Sequence, residues 1–209
     1  MGADRDFFKS GTRICLIPFP WETGWVILLK PEYLEGEAMN ERRGMVTFNG
    51  NPLTLIGDEI SVGMAAPDVE AVSTDMKPVK PSAYRGKVVI LATVPSLDTP
   101  VCDVETRRFN REAMDLGPDV VVLTVSRDLP FAQKRWCGAA GVDRVITLSD
   151  YAHGTFGRAW GIYIQENALL ARTVFVLDRE GIVRYIQIVP EVVAEPDYTA
   201  VIKAAKALG

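Results

Sequence analysis

The pattern of apolar and polar positions changes character along the 209 residues. Before Gly44, apolar bursts in "RICLIPFPWETGWVILLKPEY" are broken by Pro18, Pro20, Glu22, Gly24 and Pro31, with no helix or strand period. From Gly44 the pattern is regular. "MVTFNGNPLTL" alternates on both sides of Asn49-Gly50, a pair that tolerates the positive φ of a two-residue turn, and predicts a β-hairpin. "GMAAPDVEAV" reads as a loop. "KVVILATV" (Lys87 to Val94) is almost wholly apolar and β-branched, as expected of a strand buried on both faces.

After Cys102 the spacing predicts a helix. Val101, Phe109, Ala113 and Leu116 share a face, while Asp103, Glu105, Arg107 and Arg108 are expected in water and Gly117-Pro118 stops the helix. "DVVVLTVS" (Asp119 to Ser126) is a second buried strand. Asp128 is the expected N-cap of a helix through "LPFAQKRWCGAAG", with Pro130 tolerated in its first turn. "VITLS" (Val145 to Ser149) is a third strand, Arg172 to Val189 an antiparallel hairpin, and Asp197 to Leu208 an amphipathic helix. Two β-α-β crossovers require parallel strands with helices on the faces, and the late hairpin makes the sheet mixed, so the class is α/β. The domain is expected over 44–209. Residues 1–43 read as a disordered extension or as sequence upstream of an internal start at Met39 or Met45, the rival being a short docking arm. They make neither an unbroken signal-peptide core nor a good cleavage site.

Composition narrows the function. A net charge of −4 argues against nucleic-acid binding, and no apolar run is long enough to span a membrane. Three cysteines do not make a disulfide scaffold in a chain of this length. They point to a reducing, cytoplasmic compartment in which cysteine chemistry is catalytic or redox.

Cys102 is placed for such chemistry. It follows the strand end and the loop "PSLDTP" and opens a helix, where free backbone N–H groups and the helix dipole favour a thiolate. Thr99 lies one turn back, and Pro95 and Pro100 restrict the loop. On residues alone this reading stands level with a buried, inert cysteine. A cysteine hydrolase needs a histidine base, and the sole histidine, His153, sits in a loop expected at the surface. Asp103, Val104 and Glu105 follow Cys102, so there is no C-x-x-C dithiol, and a metal site lacks ligands. Arg172 reads as a strand-end charge and Cys137 as a helix-packing residue.

A resemblance adds to this. "PSLDTPVC" fits the P-x-x-x-T-x-x-C signature of peroxiredoxins. With "DTPVCDVETRRFN", "DLPFAQKRWCGAAG", "LLARTVFVLDREG", the opening "GMVTFNGNPLTLIG" and the closing "EPDY" in register, the chain from Gly44 to Gly209 resembles the bacterial thiol peroxidases, the atypical two-cysteine peroxiredoxins. The resemblance implies a thioredoxin-like mixed sheet flanked by helices, with an added N-terminal hairpin. It implies reduction of hydroperoxides without metal, haem or flavin, with thioredoxin as reductant, in a homodimer. By motif position Cys102 is the peroxidatic cysteine, Thr99 bonds the sulfur and the peroxide, and Pro95 shields the pocket. Arg172 holds the thiolate, and Cys137 is the resolving cysteine. Two rivals stay open: a one-cysteine peroxidase with Cys137 structural, and a non-catalytic binding member of the fold.

Overall fold

The computed structural model describes residues 39–209 in full and, before them, the backbone of two antiparallel strands, β1 (Cys15–Pro18) and β2 (Trp25–Leu28). The rest of the segment for which disorder, an internal start or a docking arm is expected lies outside the described residues. Met39–Gly209 form one compact unit.

The hairpin around Asn49-Gly50 is present as β3 (Glu41–Phe48) and β4 (Asn51–Ile56), paired Phe48 to Asn51 across the turn. Asn49 and Gly50 have φ of 49° and 78°, both positive, as a two-residue turn matching the strand twist requires. The Glu191 carboxylate accepts from the backbone N–H groups of Asn49 and Gly50, each at 3.0 Å, and from the Thr47 hydroxyl at 2.8 Å. It thereby ties the hairpin to the C-terminal part of the chain. A very short strand, β5 (Ala71–Ser73), overlaps the end of the segment read as loop, a second, β6 (Pro78–Val79), pairs with it, and a single 3-10 turn follows at Pro81–Tyr84.

Next come β7 (Val88–Thr93), α1 (Pro100–Asp115), β8 (Val120–Ser126), α2 (Pro130–Ala140) and β9 (Val145–Ser149). Then follow α3 (Thr155–Ala159), β10 (Tyr163–Ile164), β11 (Thr173–Leu177), β12 (Val183–Ile188) and α4 (Tyr198–Lys206). The main sheet has the order β12-β11-β7-β8-β9-β5-β6. β7, β8 and β9 are parallel neighbours and β11 runs antiparallel beside β7, so the sheet is mixed as the pattern requires. A smaller sheet, β10-β4-β3, carries the hairpin.

Alternation within the central strands sends side chains to two cores. Val89, Leu91, Phe175 and Leu177 pack with Leu55, Phe156 and Trp160 on one face. Val88, Ile90, Ala92, Val174 and Val176 pack on the other with Cys102 and Phe109 of α1, Trp136 of α2 and Val201 of α4. Asn110 of α1 accepts from the N–H groups of Asp143, Arg144 and Val145 at 3.2, 2.8 and 3.2 Å, fixing the helix to the start of β9.

Two expectations are corrected, and a third is refined. Glu105 is fully buried instead of solvated, because Arg172 meets it beneath α1. Asp128 does not cap α2; Leu129 occupies the N-cap position with Pro130 behind it, and the Asp128 carboxylate turns to the loop before α1. Arg107 and Arg108 are half-exposed and engaged. Arg107 pairs with Asp103 at 2.9 Å and donates to the Ala140 carbonyl at 2.7 Å, while the Arg108 guanidinium lies 3.9 Å over the Tyr198 ring.

Candidate active site

The site forms at the C-terminal end of β7, where α/β sheets present loops to solvent. Val94, Pro95 and Leu97 are buried, and Thr99 is the N-cap of α1. Pro100 takes the first helical position, which needs no N–H donor, so the N–H groups of Val101 and Cys102 are left without a helical acceptor. The helix begins its own bonding at Asp103, whose N–H donates to the Thr99 carbonyl at 2.9 Å. Asp128 holds the loop in place, accepting from the Ser96 hydroxyl at 2.7 Å and the Leu97 N–H at 2.8 Å. The Ser126 hydroxyl, also bound to Asp128 at 2.7 Å, accepts from Gln133 of α2 at 2.9 Å. The loop, the end of β8 and α2 are thus one polar network.

Cys102 is fully buried, a free thiol in the first turn of α1. Arg172, just before β11, reaches it through the core. Its Nη2 donates to Cys102 Sγ at 3.3 Å, its Nε donates to the Val192 carbonyl at 3.0 Å, and its Nη1 donates to Glu105 Oε2. The guanidinium fork therefore spends its geometry on a sulfur, a carboxylate and a carbonyl at once, which an ammonium cannot do. Against the cost of burial, the Glu105 carboxylate and the Cys102 sulfur push the arginine pKa up. Burial, only partly offset by Arg172, raises Glu105 to about 7. Its Oε1 is buried with no partner.

The structure brings Arg172 to Cys102; Thr99 is the N-cap of the helix that bears the sulfur, and Pro95 is buried in the loop before it. The Thr99 hydroxyl donates to the Ser96 carbonyl at 2.9 Å and not to the sulfur, so its lone pairs remain to accept a hydrogen bond from a bound molecule. Cys137 is separate. It is half-buried on α2, a free thiol against the Thr147 hydroxyl of β9 at 3.4 Å. Trp136, its neighbour, donates from Nε1 to Asp103 Oδ1 at 3.1 Å, which pins α2 to the first turn of α1. His153 is exposed, as expected. Sequence reasoning missed Glu105, Asp128 and Trp136. Only Glu105 carried a signal: three residues after Cys102, it shares the face of α1 that bears the sulfur.

Among the described residues no group of three or more His, Cys, Asp or Glu gathers in a way that would hold a metal ion, and no helix is long and apolar enough to cross a membrane. A parallel-centred sheet with a buried thiol at a helix start and a guanidinium behind it defines a class of thiol proteins. The redoxin family model matches residues 61–202. The thiol peroxidase of Bacillus subtilis is 52% identical over 163 residues, covering 78% of this chain and 97% of that protein. That of Streptococcus pneumoniae is 49% identical over 164 residues, covering 78% of this chain and all of that protein. The crystal structure of a peroxiredoxin-like protein from Aquifex aeolicus superposes with a TM-score of 0.75 at 40% identity, covering 83% of this chain and 100% of that one. A thiol peroxidase from Chromobacterium violaceum shares the fold with a TM-score of 0.70 at 19% identity, over 78% of this chain and 95% of its own. The chain belongs to the redoxin family and, within it, to the bacterial thiol peroxidases.

Proposed function

We propose that the protein is a thiol-dependent peroxidase that reduces hydrogen peroxide and organic hydroperoxides through Cys102. The observation that carries this is the Cys102 sulfur at the start of α1 with Arg172 Nη2 at 3.3 Å. No histidine base is needed where a guanidinium and a helix start stabilise the thiolate. The thiolate attacks the hydroxyl oxygen of the peroxide. The S–O bond forms, the O–O bond breaks, and the electron pair leaves on an alkoxide or hydroxide that takes up one proton. Thr99 accepts from the peroxide hydroxyl and sets its angle. Arg172 and the first-turn N–H groups stabilise the developing negative charge, and Pro95 keeps water from the sulfur.

The product is a sulfenic acid on Cys102. The Cys137 thiol attacks that sulfur, the S–S bond forms, and the S–O bond breaks with loss of water. A dithiol reductant then restores both thiols by exchange, giving up two electrons and two protons. In keeping with the sequence resemblance, that reductant is thioredoxin and the working form is a homodimer.

The two thiols are free of each other, and Cys137 has a partner of its own in Thr147. This observation also suits the second reading, a one-cysteine peroxidase in which Cys137 only packs. A thioredoxin-coupled peroxide assay tests both. Cys102→Ser should abolish turnover, because an alkoxide does not form at neutral pH without a base; retained turnover would remove Cys102 from the chemistry. Mass mapping after one equivalent of peroxide should find a Cys102–Cys137 peptide pair. A stable Cys102 sulfenic acid in its place, with thioredoxin turnover intact in Cys137→Ser, would favour the second reading.

A further inference from the structure

Two acids share one cation beneath α1. Cys102 and Glu105, three residues apart on one helix, are both fully buried, and each receives one arm of the same guanidinium. If both ionise, two negative charges face one positive charge in a buried site, and the surplus charge is costly. If one ionises, the site is neutral. We propose that Cys102 and Glu105 hold a single proton between them over Arg172, so that the thiolate forms with Glu105 neutral and an oxidised sulfur leaves Glu105 ionised.

Other charged groups around the carboxyl do not supply a second cation for it. Glu195, in the segment before α4, adds negative potential and raises Glu105 further. The Tyr198 hydroxyl of α4 is turned away, bound to Glu195 Oε2 at 2.8 Å. Arg108 is occupied by the Tyr198 ring and by Glu112, 3.8 Å away. The unpartnered Glu105 Oε1 is where a carboxylic proton resides at no cost in lost acceptors. A carboxyl that burial already holds near neutrality is the right partner for such sharing.

The inference rests on Cys102 being the attacking thiolate and adds a proton ledger to that reaction. Attack proceeds from the form in which the shared proton sits on Glu105. When the sulfur becomes neutral as a sulfenic acid, Glu105 loses that proton and takes Arg172 for itself. The departing alkoxide consumes one proton and Glu105 releases one, so the site exchanges none with bulk water over the step. Glu105 is thus a positioning residue for Arg172 and a store for one proton.

The test is a thiolate titration by ultraviolet absorbance in a Cys15→Ser, Cys137→Ser background, with and without Glu105→Gln. Glutamine keeps the shape and the bond from Arg172 but carries no proton to share. The glutamate form should develop its thiolate in two steps, the glutamine form in one. Glu105→Gln should hold the larger thiolate fraction at every pH between about 6 and about 8. Superimposable curves would overturn the proposal. Should Glu105→Gln fail to fold, infrared difference spectra of the unmutated protein decide. A protonated-carboxyl band present in the reduced form should vanish when Cys102 is alkylated; its absence from the reduced form near pH 7 would overturn the proposal. Neither readout needs peroxide turnover. Loss of turnover with the two-step titration intact would sink the peroxidase reading and leave the shared proton standing.

Discussion

At the scale of single residues, the site depends on a fork. Arg172 contacts a sulfur, a carboxylate and a backbone carbonyl from one planar group. Arg172→Lys keeps the charge and loses two of the three directions. Peroxide reactivity should fall about tenfold or more, equivalent to about 1.4 kcal/mol, measured as the second-order rate of Cys102 oxidation. An unchanged rate would remove Arg172 from the reaction. Arg172→Ala also leaves Glu105 buried without its cation and should destabilise the fold by about 3–5 kcal/mol in urea unfolding. Glu105 itself makes stability depend on pH. Burial raises it from its ordinary 4.5 to about 7, so the folded state binds the proton more tightly than the unfolded chain. Its contribution to stability therefore falls as pH rises from 4.5 to about 7 and is constant above. Urea midpoints of the natural sequence should decline across that window relative to Glu105→Gln, and parallel curves would show that the carboxyl titrates unshifted.

At the scale of elements, the proposed disulfide requires two thiols on separate helices to meet. Cys102 Sγ faces Arg172, which leads into β11, while Cys137 Sγ faces Thr147 of β9. β7 and β8 lie between those strands. A disulfide needs Cα atoms within about 7 Å, so the start of α1, the end of α2 around Cys137, or both should unwind after oxidation. The contacts that resist are visible: Trp136 Nε1 on Asp103, and Arg107 on the Ala140 carbonyl. Trp136→Phe deletes the first and keeps most of the buried ring. It should lower stability by about 1 kcal/mol and speed disulfide formation severalfold after a peroxide pulse, followed by rapid quench. Slower disulfide formation would mean that the tryptophan guides Cys137 instead of restraining it. α2 is capped by Gly141, whose φ of 64° is open to glycine at little cost, and its end is held by the N–H groups of Gly141 and Val142 on the Cys137 carbonyl, so unwinding there breaks few bonds. Hydrogen exchange should be faster near 100–107 or 131–141 in the disulfide form than in the reduced form. Equal protection in both forms would count against any unwinding.

At the scale of the whole molecule, the unit Met39–Gly209 carries both cores and every residue of the site. A chain beginning at Met39 should fold cooperatively and retain thioredoxin-coupled peroxide reduction. A drop in thermal midpoint of many degrees on truncation would show that the preceding residues contribute to the fold.

Much of this architecture is local in origin and so legible in the sequence. Lys87 to Val94 and Asp119 to Ser126 are apolar on both faces because helices and hairpin cover both sides of the sheet. Asn49-Gly50 reverses the chain through its own backbone preferences. The cysteine at a helix start after a proline-bound loop is equally a local fact, and the motif resemblance gave it Arg172 as a partner. β5, β6, α3 and β10 are two to five residues each, too short to show a period; the strands exist because their neighbours offer them hydrogen bonds, and α3 because the Asp150 carboxylate accepts from the N–H groups of Phe156 and Gly157. By polarity alone, Glu105 belongs in water and Asp128 at a helix cap. Polarity states what a side chain requires, a partner or solvent. Only the tertiary structure determines which of these it gets, and it brings Arg172 to Glu105 across 67 residues and Ser96 to Asp128 across 32.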